Sequence, residues 1–257
     1  MWLIALKASW RQTLTLQIRY LFNFFTSIIT VSIVFLLIFH GVKAVGAGAL
    51  DLGGTLEGLF TGYIIWMIVL TGYQDLAYNA ANEAQTGTLE QLYLSPVGYK
   101  WLAFFSGSFN ALMSLAMISV ITAVMVLTTG QKLHLDIFSI LPVFFGVYIQ
   151  AYGLGFILGG LALIFKRIQS FFQVVTFGVI GLFMIPWSKY PWAKYLPFTM
   201  GQHLLQEIMM EGMKFTQAPK GDLAVFAVAT IAYFLAGLGV FSMAETKAKA
   251  MGLLGQY

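Results

Sequence analysis

Apolar residues fall along this chain in long runs separated by short polar stretches. An α-helix needs about 20 mainly apolar residues to cross roughly 30 Å of hydrocarbon. Runs of that kind occupy residues 20–39, 58–77, 101–128, 138–165, 168–185 and 223–243. Their ends carry helix-breaking or charged residues: His40 and Gly41 after the first, Lys166 and Arg167 after the fourth, Pro186 after the fifth, and Glu245, Lys247 and Lys249 after the sixth. The pattern predicts an all-α polytopic membrane protein with six transmembrane helices, forming one transmembrane domain over residues 1–257.

Three segments stand apart from the spans. Residues 1–19 place Leu3, Leu6, Trp10 and Leu14 on one helical stripe with Lys7 and Arg11 at its margin, as in a helix lying in the membrane interface. The alternative is an extension of the first span. No small-residue cleavage site follows a short apolar core, so the segment is not read as a secretory signal.

Residues 79–96 are the most polar stretch of the chain. Gly87 interrupts it, and Thr88 with Gln91 three residues on has capping-box spacing. Glu90 then sits in a first helical turn, where a carboxylate suits the helix dipole. Ser95-Pro96 ends that helix and can start another, since proline is favoured in a first turn. Leu89 and Leu92 share a face of a helix too short to bury them by itself. Such a helix is shaped to dock into a partner's groove; the alternative is a connector packed on its own bundle.

Residues 186–222 hold four of the six prolines together with Trp187, Tyr190, Trp192 and Tyr195, rings that favour the headgroup layer. Within them, residues 200–213 are too short to span and apolar enough to dip into the membrane. The segment reads as external re-entrant or interfacial helices before the last span, with a simple loop as the alternative.

Composition narrows the class further. Of 257 residues 59% are hydrophobic and 9% charged, with mean hydropathy +0.82. Soluble domains carry about 25% charged residues, so a soluble domain is excluded, and disorder needs low hydrophobicity. A membrane β-barrel would show alternating segments of about ten residues. Cysteine is absent, which removes disulfides and thiolate metal sites. The net charge is +4, but the basic residues are scattered, so nucleic acid is not an expected partner. Lys7, Arg11, Arg19, Lys100, Lys166, Arg167, Lys247 and Lys249 fall on one side of a six-span topology. By the positive-inside rule that side, with both termini, is cytoplasmic, and the expected location is the inner (cytoplasmic) cell membrane.

Little of the chain has catalytic character. Ser106 and Ser108 lack a histidine at matching depth, so an intramembrane protease is not supported. His203, Glu207 and Glu211 share a helical face, and two such residues can hold a metal; a wet stripe on an interfacial helix is the preferred reading, and no metal is expected. Ionisable groups inside spans mark function because they are costly there. Asp75, near one end of the second span, alone approaches this, and the reading is that it snorkels or pairs at the interface. Asn110 reads as an interhelical hydrogen-bond group, and Gly155 with Gly159 as a small-residue seam for close helix packing.

Asn82-Glu83, Gly87-Thr88-Leu89-Glu90-Gln91-Leu92 and Ser95-Pro96-Val97 resemble the signature of permease subunits of the type-2 ABC exporter family. In that family a Glu, a Gly-Thr-Leu-Glu-x-Leu run and a Pro follow the second span. Residues 196–199 followed by Gln202 and His203 are a weaker echo of drug-exporting members. The resemblance implies that Glu83, Gly87, Thr88, Leu89, Glu90, Gln91, Leu92 and Pro96 belong to a coupling helix gripped by a separate ABC ATP-binding subunit. It also implies a homodimer of six-span chains. Gln85 and Gln91 stand where common members have an Arg, which leaves Glu83 and Glu90 as the loop charges, with Lys100 nearby. No Gly-x-x-x-x-Gly-Lys-[Ser/Thr] motif occurs, so ATP and Mg are expected in the partner, with no cofactor and no enzyme activity in this chain.

Tyr63, Trp66, Phe171 and Phe172 lie on spans that the resemblance places along the substrate pathway. An uncharged aromatic and aliphatic pathway suits a drug, lipid or other amphiphile; a lipid-linked polysaccharide is the alternative cargo. A non-transporting membrane scaffold and a secondary carrier are the rival functions.

Overall fold

The computed structural model describes residues 2–45, 56–86, 97–165, 168–183, 185 and 190–252. Among them are eight α-helices and no strands: α1 (Trp2–Arg19), α2 (Leu21–Val45), α3 (Leu56–Thr86), α4 (Tyr99–Thr129), α5 (Ile137–Phe165), α6 (Gln169–Phe183), α7 (Thr199–Glu211) and α8 (Lys220–Ala250). Short 3₁₀ turns at Pro191–Tyr195 and Phe215–Gln217 flank α7.

Among the described residues four helices are long and apolar enough to cross a membrane: α2, α4, α5 and α8. They meet the rest of the protein very differently. In its most apolar stretch α5 buries 72% of its residues, whereas α2 and α8 each bury 11%. Phe22, Ile29 and Leu37 on α2, and Val228, Ile231 and Met243 on α8, turn outward. Apolar faces of that length need lipid rather than water beside them. The protein is a helical membrane protein.

Glycine lets α5 occupy the centre, packed along both α3 and α8. On the α3 side, a Cβ at Gly155 would come within 3.0 Å of the Tyr73 carbonyl oxygen, and one at Gly159 within 3.0 Å of Leu76. On the α8 side, Gly153 and Gly160 meet backbone of Tyr233, Phe234 and Phe241. The small-residue seam read in the sequence is therefore part of a two-sided surface.

Around this centre α3 is the second buried helix, with Phe60, Ile65, Val69, Tyr73, Ala77 and Ala80 all inaccessible. Its 31 residues extend to Thr86, about 46 Å at 1.5 Å per residue. The loop expected from residue 79 therefore begins later: 79–86 are the last turns of the same helix. Asn79, Ala80, Ala81, Asn82 and Glu83 contain no helix breaker, and their alanines pack inward. At the other extreme, α6 has 15 residues, about 22 Å.

The N-terminal helix rests on α4. Trp2 meets Trp101 edge-on with ring centroids 5.0 Å apart, and Trp10 meets Phe109 at 5.7 Å. Trp10 Nε1 donates to Ser108 Oγ at 3.0 Å, and the Thr13 and Ser106 hydroxyls are 3.2 Å apart. The face turned to the bundle thus mixes aromatic rings with hydroxyl groups, with Thr13 buried, while Leu3 and Leu14 of the apolar stripe are exposed.

Between α6 and α8 the chain forms α7, which starts with Phe198 as its N-cap at φ 68°. A left-handed backbone costs a bulky residue about 1–2 kcal/mol. Gln150 of α5 holds it: Oε1 accepts the Phe198 amide at 2.9 Å, while Nε2 donates to Thr230 Oγ1 of α8 at 2.9 Å. One buried side chain thereby ties α5, α7 and α8 together.

Candidate functional site

Tyr63 and Trp66, three residues apart on α3, share one wall of a cavity of about 280 Å³. Gly58 and Gly62 keep that wall low, Phe183 of α6 closes it, and the Gln202 amide of α7 enters from the side. The ring centroids of Tyr63 and Trp66 are 5.3 Å apart. Tyr63 is anchored by its hydroxyl, which donates to the Val31 carbonyl of α2 at 2.6 Å. Trp66 Nε1 is buried without a hydrogen-bond partner. A buried indole N–H without a partner is costly.

Phe171 and Phe172 do not join this cavity. Phe172 is fully buried and packs edge-on against Tyr78, with centroids 5.1 Å apart, and Phe171 is 47% exposed. Tyr78 lies beyond Trp66 by about 18 Å along α3. Tyr63 and Trp66 thus line a cavity, while at another height Phe172 alone packs α6 onto α3 and Phe171 turns outward.

Glu83 sits in the last turns of α3. Gly87, Thr88, Leu89, Glu90, Gln91, Leu92 and Pro96 lie outside the described residues. Lys100, expected beside them, is engaged with α8: its Nζ is 2.9 Å from Glu245 Oε2 and donates to Ser242 Oγ at 2.8 Å. Lys249 pairs with the other Glu245 oxygen at 2.6 Å. Glu245 lies past the apolar stretch of a helix that, at about 46 Å, outreaches the hydrocarbon. Burial pushes its carboxyl upward, but hydrogen bonds from Lys249 and Lys100 and their charges prevail and hold it below the usual carboxylate range.

Asp75 is where the structure adds most. It is half-buried and paired with two amides. Asn110 of α4 donates its amide to one carboxylate oxygen and Asn79 donates to the other at 3.1 Å. Nearby, the Tyr73 and Thr176 hydroxyls are hydrogen-bonded, linking α3 to α6. The sequence signal existed, as an isolated carboxylate and an isolated amide in apolar runs; their pairing depends on helix placement that spacing does not reveal.

His203 and Glu207 form a pair at 3.3 Å. Among the described residues no three His, Cys, Asp or Glu side chains converge as a metal site would require. No family model, curated protein or solved structure matches the chain.

Proposed function

We propose that the chain is the membrane-spanning permease subunit of an ATP-driven ABC exporter, moving a hydrophobic or amphiphilic compound outward. In this reading it works as a homodimer with a separate ATP-binding subunit, in the inner cell membrane with both termini cytoplasmic. Six spans result if α3 and α6 cross together with the four long apolar helices. The polar half of α3 is tolerable in a membrane because it packs inside the bundle, and α6 crosses if the bilayer thins locally around it.

The observation that carries the proposal is the continuity of α3. One unbroken helix leads from the Tyr63 and Trp66 cavity to Thr86, directly before the motif that resembles a coupling helix. From Trp66 to Glu83 is about 26 Å along the helix axis, so a partner moving residues 87–92 displaces a rigid rod that forms the cavity wall. ATP can bias such a motion only if the ATP-bound partner favours one arrangement of the bundle over the other. The cavity itself, lined mainly by apolar surface with the Gln202 amide at its side, suits a hydrophobic guest with few polar groups.

The test is co-purification of the tagged chain from its native membranes with an ABC ATP-binding subunit. The wild-type protein retains that subunit and raises its ATPase rate, whereas the double substitution Glu90→Arg, Leu92→Asp releases it. Retention and full stimulation in the double variant would place the coupling elsewhere.

A further inference from the structure

Between α4 and α5 lies a groove of about 510 Å³. The two helices are joined by seven residues, 130–136, yet each packs chiefly elsewhere: α4 on α1 and α3, α5 on α3 and α8. On α4 the outer edge of the groove is formed by Leu112, Ala116, Ser119 and Ala123, all exposed and all on one helical stripe. Leu135 and Ile137 form the opposite edge, 51% and 66% exposed, so the groove opens sideways from the bundle. Its floor is buried and consists of Ile64 and Ile68 of α3, Phe144 of α5, and Leu205 and Met209 of α7. Among the described residues the lining has two polar side chains, Ser119 and Thr122. Ser119 donates to the Leu115 carbonyl of its own helix at 2.7 Å.

We propose that this groove holds one acyl chain of a phospholipid, from the leaflet on the α7 side, as a resident part of the folded protein. Three features select that occupant. The first is direction: the edge from Leu112 to Ala123 runs along α4, a helix long and apolar enough to cross the membrane, and so along the line on which lipid chains lie. The second is length, about 16 Å at 1.5 Å per residue, close to half of the roughly 30 Å hydrocarbon. Leu112 stands near the middle of α4 and Ala123 six residues before its end, so the groove covers a single leaflet. Capacity is the third. With a methylene taken as water-sized, roughly 30 Å³, the volume accommodates about seventeen carbons, one chain and not two. Water is a poor occupant, because apolar walls offer few of the two to four polar partners it needs. The groove is separate from the cavity of Tyr63 and Trp66. Ile64 and Ile68 point about 150° away from those two residues around α3, at 3.6 residues per turn, so the lipid supports the far side of the same helix. The site therefore stands whether or not the chain is an exporter.

The test is native mass spectrometry of the full chain, extracted from its membranes and washed in detergent until bulk lipid is gone. The wild-type protein retains one phospholipid per chain. Ala116→Phe puts a ring into the groove from its exposed edge and weakens lipid retention about tenfold. Val228→Phe, on the exposed face of α8, leaves retention unchanged. Adding palmitoyl-oleoyl phosphatidylcholine to stripped wild-type protein raises its melting temperature by several degrees, and Ala116→Phe responds far less. Wild-type protein that retains no phospholipid, or gains no stability from it, would overturn the proposal whether or not any variant folds. So would undiminished retention by Ala116→Phe, or an equal loss in Val228→Phe, which would make the lipid a general coat. A lipid-free wild-type dimer that Ala116→Phe splits would give the groove to a second copy of the chain instead. Each of these outcomes leaves the exporter reading standing, since the groove lies apart from the Tyr63 and Trp66 cavity.

Discussion

Gly237 of α8 lies so close to Gly153 of α5 that a Cβ placed on it would come within 2.2 Å of the Gly153 carbonyl oxygen. The obstacle is backbone, which cannot swing aside as a side chain would. Gly237→Ala therefore forces the two helices apart, at the roughly 1–3 kcal/mol typical of overpacking. Gly239, two residues on, has open space where a Cβ would stand, with nothing within 4 Å. Gly239→Ala is expected to leave thermal stability in detergent unchanged or slightly raised, and Gly237→Ala to lower it by several degrees.

Gln150 satisfies the Phe198 amide and Thr230 at once. Gln150→Leu preserves bulk and removes both bonds, leaving a buried N–H unpaired at about 1–3 kcal/mol. Hydrogen exchange should accelerate at the start of α7, around Phe198 and Thr199, before it accelerates in the centre of α5. Uniform acceleration along both helices would show that Gln150 matters for general packing rather than for holding α7.

Hydropathy made the helical membrane class and the positions of the long helices legible, because a lipid-facing helix must be apolar over its whole length. α5 was legible too, since its Gly-rich, Pro142-containing sequence is apolar all round. The extent of α3 was not. Its last turns are polar outward and alanine inward, a pattern that resembles a loop until Ala80, Ala81 and Ala84 are seen buried. The apolar stripe of α1 was visible, but not how it divides: Trp10 packs on Phe109 while Leu3 and Leu14 are exposed. Tyr63 and Trp66 meet because three residues on a helix share a face, whereas Asp75 and Asn110 meet only through the placement of α3 against α4. Phe171 and Phe172 are adjacent in sequence and so point in different directions; one is core and the other exposed.

Acid should weaken the clasp between α4 and α8. The Glu245 carboxyl is held below its ordinary value in the folded protein, so its contribution is complete above the unfolded pKa of about 4.3. That contribution is lost as pH falls through the lower folded value. Both lysines are partly exposed, at 35% and 50%, so solvent screening limits the effect to under about 1 kcal/mol. The stability difference between wild type and Glu245→Gln should be largest at neutral pH and shrink toward pH 3. A difference independent of pH would assign the residue a packing role instead.

Trp66 shares the cavity wall with Tyr63. Trp66→Ala removes its ring and leaves the hydrogen bond from Tyr63 to the Val31 carbonyl in place. Half-saturation for a hydrophobic cargo should rise about tenfold, the equivalent of roughly 1.4 kcal/mol. An unchanged value would show that this cavity does not hold the cargo.

Whether energy reaches this bundle from a nucleotide-hydrolysing partner is decided by efflux from proteoliposomes. Vesicles holding the chain together with the ATP-binding subunit that co-purifies with it should move a labelled amphiphile only when ATP and Mg²⁺ are supplied, and the Glu90→Arg, Leu92→Asp variant should move none. Transport at the same rate by the chain alone, without nucleotide, would contradict this and make the protein a carrier in its own right.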